Sequence, residues 1–139
     1  MASLTIVRTI KVEPSTVFDF LVTAAGIAQW WGPDAGPVLS SSSDPQVGGH
    51  FLLRFRTLNG TECETSGEFL EVTRPDRVRM TWLWAGDTEA SLIEIVLRGV
   101  SEGTEVTFIH SQLPDEKTAR GHEKGWNGSL DKLENLFNR

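Results

Sequence analysis

The 139 residues carry 13 Lys and Arg against 19 Asp and Glu, a formal net charge of -6 at pH 7, which leaves no basic surface for nucleic acid or an anionic membrane. No stretch reaches the roughly 18 apolar residues of a membrane span, and the single cysteine, Cys63, excludes an internal disulfide framework. The N-terminal residues are charged where a signal peptide is apolar, so we expect a cytoplasmic protein with one domain over residues 1–139.

The N-terminal part is predicted to form one strand followed by two short helices. Apolar residues at positions 4, 6, 10 and 12 alternate with polar ones, the pattern of a strand with one buried face. Pro14 ends that strand and suits the first turn of a helix, which continues through residue 22. A second helix is predicted at about residues 27–31, and the serine run at 40–43 predicts a loop.

Antiparallel strands are predicted from about residue 47 to residue 111. Apolar residues at 51, 53 and 55 share one face of the first of these strands, and Asn59-Gly60 predicts a type I′ hairpin turn. The next strand should span residues 61–73, with Gly67 as the position of a bulge. Unless a bulge shifts the register, one of Glu68 and Glu71 should face inward. Three more alternating segments bring the number of strands after the helices to five or six.

One long amphipathic helix is predicted from residue 112 to residue 138. Spacings of three and four residues place its apolar stripe on one face: Ala119, His122, Trp126, Leu130, Leu133 and Phe137. This stripe must lie across the inner face of the sheet, which is predicted to hold Phe51, Phe55, Trp82, Trp84, Phe108 and His110. The fold class is therefore α+β: a curved antiparallel sheet wrapped around a long C-terminal helix, with two short helices after the first strand.

Three glycines inside this helix need an explanation. Gly121, Gly125 and Gly128 each cost about 1 kcal/mol of helix propensity relative to alanine. Our hypothesis is that they let the N-terminal half of the helix shift or fray to admit a ligand. The alternative is that another segment or subunit approaches the helix closely.

Several motifs occur in the order typical of a known superfamily. They are Pro14-x-x-Val17-Phe18, Trp30-Trp31-Gly32-Pro33, Gly67-x-Phe69-Leu70-Glu71-Val72, His110-Ser111-x-Leu113-Pro114 and Gly121-His122-x-x-Gly125-Trp126. With them the chain resembles the START-like (SRPBCC, helix-grip) superfamily, and within it the domain of activators of the heat-shock-protein-90 ATPase. The resemblance implies a seven-stranded antiparallel sheet around the terminal helix, with a cavity that relatives use for lipids, hormones, polyketides or other small molecules. It does not imply one activity, because a fold does not fix a function.

The candidate ligand-binding site lies between the sheet and the terminal helix. Five tryptophans and seven phenylalanines, without any tyrosine, supply large apolar walls with few polar groups. We expect an apolar or aromatic small molecule, and no cofactor, in a site lined by Trp30, Trp31, Phe55, Trp82, Trp84, Phe108, His110, His122 and Trp126. For the tryptophans, burial in the core is an equally good interpretation.

His110 and His122 are the residues of that set with the potential for chemistry. As a pair near the cavity they would exchange protons near neutral pH, as in a cyclase or hydrolase. The favoured alternative is two structural histidines bonded to backbone or to tryptophan N–H groups, because no nucleophile is evident beside them. Two histidines without a third ligand predict no metal site, and Cys63, in a polar setting among carboxylates, is not expected to be a nucleophile.

Three functional hypotheses remain, and a small-molecule-binding domain leads them. The second is an enzyme that uses His110 and His122 as acid and base. The third is a protein-interaction module that resembles the chaperone activator, although the eukaryotic co-chaperone carries a further N-terminal domain that these 139 residues do not contain. A homodimer is left open.

Overall fold

In the computed structural model, which describes residues 1–138, seven antiparallel strands form one curved sheet against a long C-terminal helix. The elements are β1 (Ala2–Ile10), α1 (Pro14–Val22), α2 (Ala24–Ile27), β2 (Val38–Ser43), β3 (His50–Arg56), β4 (Glu62–Thr73), β5 (Arg77–Trp84), β6 (Ser91–Val100), β7 (Gly103–Leu113) and α3 (Glu116–Phe137). The strand order is β1-β7-β6-β5-β4-β3-β2. This architecture confirms the predicted α+β helix-grip fold. No helix of the described part of the chain is long and apolar enough to cross a membrane.

Alternating burial along the strands makes one face of the sheet the floor of the core. In β3, for example, Phe51, Leu53 and Phe55 are buried and the residues between them are exposed. The apolar stripe of α3 covers this floor, with Ala119, Trp126, Ser129, Leu130 and Leu133 buried. Because the two periodicities, two for a strand and 3.6 for a helix, are both present in the sequence, the core faces were predictable.

Helix α3 begins at Glu116 rather than at residue 112, and β7 runs to Leu113. Asp115 is the N-cap, and its Oδ1 accepts the Thr118 N–H at 2.7 Å. The cap satisfies one of the N–H groups that the first turn leaves unpaired, so the helix starts there. Among described residues other than glycine, Gln112 alone has a positive φ, at 61°.

The serine run is a strand and not the predicted loop. Residues 40–43 belong to β2, which pairs with β3 at the edge of the sheet. The Ser41 hydroxyl donates to the Ala24 carbonyl at 2.9 Å, and the Ser43 hydroxyl donates to the Val22 carbonyl. These bonds hold the corner between α1 and α2 against the edge strand. The second helix also lies earlier than predicted, because Thr23 caps it at the Gly26 N–H.

The turn between β3 and β4 is one residue longer than the predicted type I′ turn. Gly60 N–H donates to the Thr57 carbonyl at 2.9 Å, and Thr57 N–H donates to the Thr61 carbonyl at 2.8 Å. This is a three-residue loop with Gly60 in the left-handed region, at φ 92°. The register then places Cys63 opposite Phe55, so the thiol lies on the inward face; a two-residue turn would have put Glu64 there.

The bulge in β4 lies between Phe69 and Glu71 instead of at Gly67. It moves Glu71 off the inward register, and its carboxylate lies 3.6 Å from the Arg77 Nε. Glu68 is exposed. Neither carboxylate therefore faces the cavity described below. Gly67 is required for a different reason, because a Cβ there would lie 2.0 Å from the Thr81 carbonyl oxygen.

The two ends of the described chain are joined through Arg8 on β1. Its Nη1 lies 2.8 Å from the Asp131 carboxylate, and its Nη2 donates to Asn127 Oδ1 at 2.8 Å, both on α3. Asn138 Oδ1 also accepts the Lys11 backbone N–H at 2.7 Å. Edge strand β1 is thereby fixed along the length of α3.

Close approach of another segment accounts for one of the three glycines in α3. A Cβ on Gly128 would lie 2.0 Å from the Pro33 carbonyl oxygen, so no side chain fits there. A Cβ on Gly125 would meet Pro33 Cβ at an ordinary 3.7 Å, and one on Gly121 would have nothing within 4 Å. The alternative interpretation of the glycines therefore holds for Gly128.

We expect the same substitution to have opposite effects at two positions of α3. Gly128→Ala should lower the free energy of unfolding by about 1–3 kcal/mol, because the loop at Pro33 must move. Gly121→Ala should raise it by about 0.5–1 kcal/mol through helix propensity alone. Urea denaturation of both variants measures the difference, and a stabilising Gly128→Ala would show that the contact with Pro33 is absent in solution.

Candidate functional site

A cavity of about 440 Å³ lies between α3, strands β3 to β5 and the loop that follows α2. Its volume is within the range of roughly 300–1,000 Å³ that is typical of small-molecule pockets. It is lined by Gly32, Pro33, Leu53, Phe55, Thr57, Cys63, Trp82, Trp84, Thr118, Gly121, His122, Gly125, Trp126 and Ser129. Five of the nine predicted site residues are among them: Phe55, Trp82, Trp84, His122 and Trp126.

The other four predicted site residues lie in the core behind the cavity. Trp30, Trp31, Phe108 and His110 are at most 1% exposed, and the cavity does not reach them. Trp30 donates its N–H to the Phe20 carbonyl at 2.8 Å, and the Phe108 ring supports Trp126 at a centroid distance of 4.4 Å. They support the rings that line the cavity.

Several lining residues were not predicted, and one of them carried a signal in the sequence. Leu53 alternates with Phe51 and Phe55, so it shares their inward face. Cys63 follows from the three-residue turn, which only the structure reveals. Gly32, Pro33 and Ser129 line the cavity because the loop after α2 contacts helix α3, and the sequence pattern does not reveal that contact. Ser129 Oγ joins these two elements, because it accepts the Gly32 N–H at 3.1 Å and donates to the Gly32 carbonyl at 2.8 Å.

His110 lies in a chain of hydrogen bonds whose direction is determined. Trp126 Nε1 can only donate, and it donates to His110 Nδ1 at 3.0 Å. His110 Nε2 must then carry the ring hydrogen of a neutral histidine and donate it to Ser91 Oγ at 2.6 Å. Ser91 in turn donates to the Trp82 carbonyl at 3.3 Å. Burial, with a smaller contribution from the charge of His122, lowers the pKa of His110 from 6.5 to about 3.

His122 has the opposite tautomer for the same reason. Trp84 Nε1 donates to its Nε2 at 2.9 Å, so its Nδ1 carries the hydrogen and donates to the Thr118 carbonyl at 2.9 Å. The two histidine rings meet as predicted, with centroids 5.0 Å apart. Each histidine therefore accepts a tryptophan N–H, as the structural interpretation requires, and His122 also has a backbone partner.

A serine does lie beside His110, contrary to the prediction that no nucleophile is evident there. The Ser91 hydroxyl is only 2.6 Å from His110 Nε2, a distance that suits a serine and its base. However, that nitrogen carries a hydrogen, because the lone pair on Nδ1 is taken by the Trp126 N–H. His110 therefore donates to Ser91 and does not accept its proton.

A metal site needs several ligand side chains that converge on one point. Within residues 1–138, no three side chains of His, Cys, Asp or Glu converge in the way that a metal ion needs. Burial raises the pKa of the Cys63 thiol, which favours the neutral form. The sequence analysis attributes the weak nucleophilicity of Cys63 to the neighbouring carboxylates. In the structure, burial raises the pKa of the thiol instead.

The chain as a whole is similar to known proteins. A family model described as "Activator of Hsp90 ATPase homolog 1-like protein" matches residues 11–138. No curated protein matches the sequence. A solved AHSA1 protein from Silicibacter pomeroyi is 27% identical, with a TM-score of 0.88 over 97% of this chain and 96% of that one. A protein from Chromobacterium violaceum is 23% identical, with a TM-score of 0.87 over 100% of this chain and 99% of that one.

We expect the buried, neutral His110 to make the protein less stable in acid. Because its folded-state pKa is about 3, the unfolded chain binds a proton between pH 6.5 and about 3 that the folded protein does not bind. The free energy of unfolding is then unaffected above pH 6.5 and should be lower by about 2 kcal/mol at pH 5. Urea denaturation at pH 7.5 and pH 5 measures this difference.

Two glutamine variants isolate the contribution of His110. In His110→Gln, the difference in the free energy of unfolding between pH 7.5 and pH 5 should be about 2 kcal/mol smaller than in the wild-type protein. His50→Gln, at an exposed position of β3, should keep the wild-type difference. If all three proteins show the same difference, His110 is not the group responsible.

We expect Ser91 to be unreactive towards serine-directed reagents. Its hydroxyl has no proton acceptor on His110, so it lacks the activation that a nucleophilic serine needs. A fluorophosphonate probe should leave the intact mass unchanged under conditions that label chymotrypsin completely. Stoichiometric labelling that disappears in Ser91→Ala would contradict the assigned tautomer.

Proposed function

The chain belongs to the Activator of Hsp90 ATPase homolog 1-like protein family, and we propose that it binds an apolar or aromatic small molecule. The observation that carries the proposal is the cavity of about 440 Å³ between the sheet and α3. Four aromatic side chains form its walls: Phe55, Trp82, Trp84 and Trp126. Such rings supply large apolar contact areas at low conformational cost.

The polar groups around the cavity favour an apolar ligand. The Ser129 hydroxyl and both ring nitrogens of His122 are already bonded to other parts of the protein. Burial keeps the Cys63 thiol neutral by raising its pKa. Polar ligand groups would therefore compete with existing hydrogen bonds, whereas an apolar ligand gains from leaving water.

The same bonds support binding over acid–base chemistry at the two histidines. A general base needs a free lone pair directed at its substrate, and the lone pairs of His110 and His122 accept indole N–H groups. The low pKa of His110 also removes it from proton exchange near neutral pH. An enzyme would have to break one of these bonds in every turnover.

A second candidate function comes from the family description, which names activation of an ATPase. For this function the chaperone would bind a surface outside the cavity, and activation would not depend on the residues that line the cavity. Stimulation of a chaperone ATPase by this protein, with a filled cavity and with an empty one, distinguishes the two functions.

Binding of an apolar fluorescent probe tests the proposal. We expect N-phenyl-1-naphthylamine to brighten with the wild-type protein and to slow alkylation of Cys63, the chain's single cysteine, which lines the cavity. Gly125→Leu should weaken binding of the probe about tenfold, because its side chain fills the cavity while helix propensity improves. Titration by fluorescence measures the affinity.

The matched control is Lys124→Leu, which adds the same side chain at the adjacent, exposed position of α3. Its affinity for the probe should stay at the wild-type value. A probe that binds all three proteins equally, or that leaves alkylation of Cys63 unchanged, would place binding outside the cavity and overturn the proposal.

A further inference from the structure

A second cavity, of about 320 Å³, lies beside the first one at the end of β5. The segment between β5 and β6, the end of β7 and the first turns of α3 surround it. The two cavities share four lining residues, and these form the wall between them: Trp82, Trp84, Thr118 and His122.

One hydrogen bond between side chains closes this wall. Trp84, on the last position of β5, donates to His122 on α3 at 2.9 Å, and His122 is anchored to the Thr118 carbonyl. Both members of the pair are half-buried. Trp82, by contrast, is 4% exposed and packs among the rings of the aromatic core. The wall thus has a fixed part, Trp82, and a part that a side-chain rotation can open, the Trp84–His122 pair.

The two cavities differ in character. The first has aromatic walls, whereas Asp87, Glu89 and Gln112 are among the residues that line the second. A molecule that spans both would therefore have an apolar body and a polar end. An apolar tail that pushes the wall open would leave an indole N–H and a ring nitrogen without partners, which is unfavourable.

We propose that the Trp84–His122 pair determines the length of ligand that this protein accepts, by separating two cavities that would otherwise form one slot. The inference rests on the proposed function, because it concerns the ligand of the same cavity. While the pair is bonded, a ligand ends at the wall. Without the pair, the ligand extends into the second cavity and its polar end reaches Asp87 and Glu89.

Straight-chain primary alcohols of increasing length, competing with N-phenyl-1-naphthylamine, test this proposal. Each added methylene should raise the affinity about fourfold while it is buried. With the wild-type protein we expect the rise to stop at a limiting chain length. With Trp84→Leu the rise should continue for about three carbons more, and His122→Ala, which opens the same wall from the helix, should shift the limit in the same direction.

Phe55→Ala is the control, because Phe55 lines the first cavity and not the second. It removes more side-chain volume than Trp84→Leu does, so it measures the gain in chain length from added volume alone, and the gain in Trp84→Leu should exceed it. Equal limits in Trp84→Leu and Phe55→Ala, or a wild-type protein without any limit, would overturn the partition while leaving the proposed function intact. A wild-type protein that binds neither the probe nor any alcohol would overturn both.

Discussion

Buried indole N–H groups are the constraint on which the arrangement of sheet and helix depends. A buried donor without an acceptor costs free energy, and tryptophan has no other polar group with which to compensate. Two of these donors are satisfied between the sheet and α3: Trp126 on the helix donates to His110 on β7, and Trp84 on β5 donates to His122 on the helix. The bonds run in opposite directions from residues four apart on one helical face, so together they fix the helix in translation and in rotation.

The same constraint determines the chemical character of the site. Each histidine accepts an indole N–H and therefore has one defined neutral tautomer. The accepting ring nitrogens hold the helix against the sheet and are not free to bind a ligand. Not every donor is satisfied in this way. The indole N–H groups of Trp31 and Trp82 have no hydrogen-bond partner within residues 1–138, and both rings lie in the aromatic core. An apolar environment is therefore built into this side of the sheet.

The fold could be predicted from the sequence where periodicity is strong, and the site could be predicted only in part. The stripe of α3 and the alternation in β3 each assign a residue to the inner face. Periodicity does not separate Trp126, which borders the cavity, from Phe108 on β7, which lies behind it, because each of them is in register with the inner face of its own element. That distinction depends on where Pro33 meets Gly128, a contact between segments far apart in the chain. Cys63 was misplaced because a one-residue difference in a turn reverses the face of the next residues.

The bonds from Arg8 to α3 have a consequence for the order in which the molecule is made. Arg8 is synthesised more than a hundred residues before Asp131 and Asn127, its partners. While the chain is still emerging from the ribosome, the seven strands can pair with one another, but the aromatic floor of the sheet remains uncovered until α3 has left the exit tunnel. Closing so long a loop is entropically slow, which favours late docking of the helix. The nascent chain thus exposes its aromatic floor until α3 emerges, the interval in which chaperones would have most to cover.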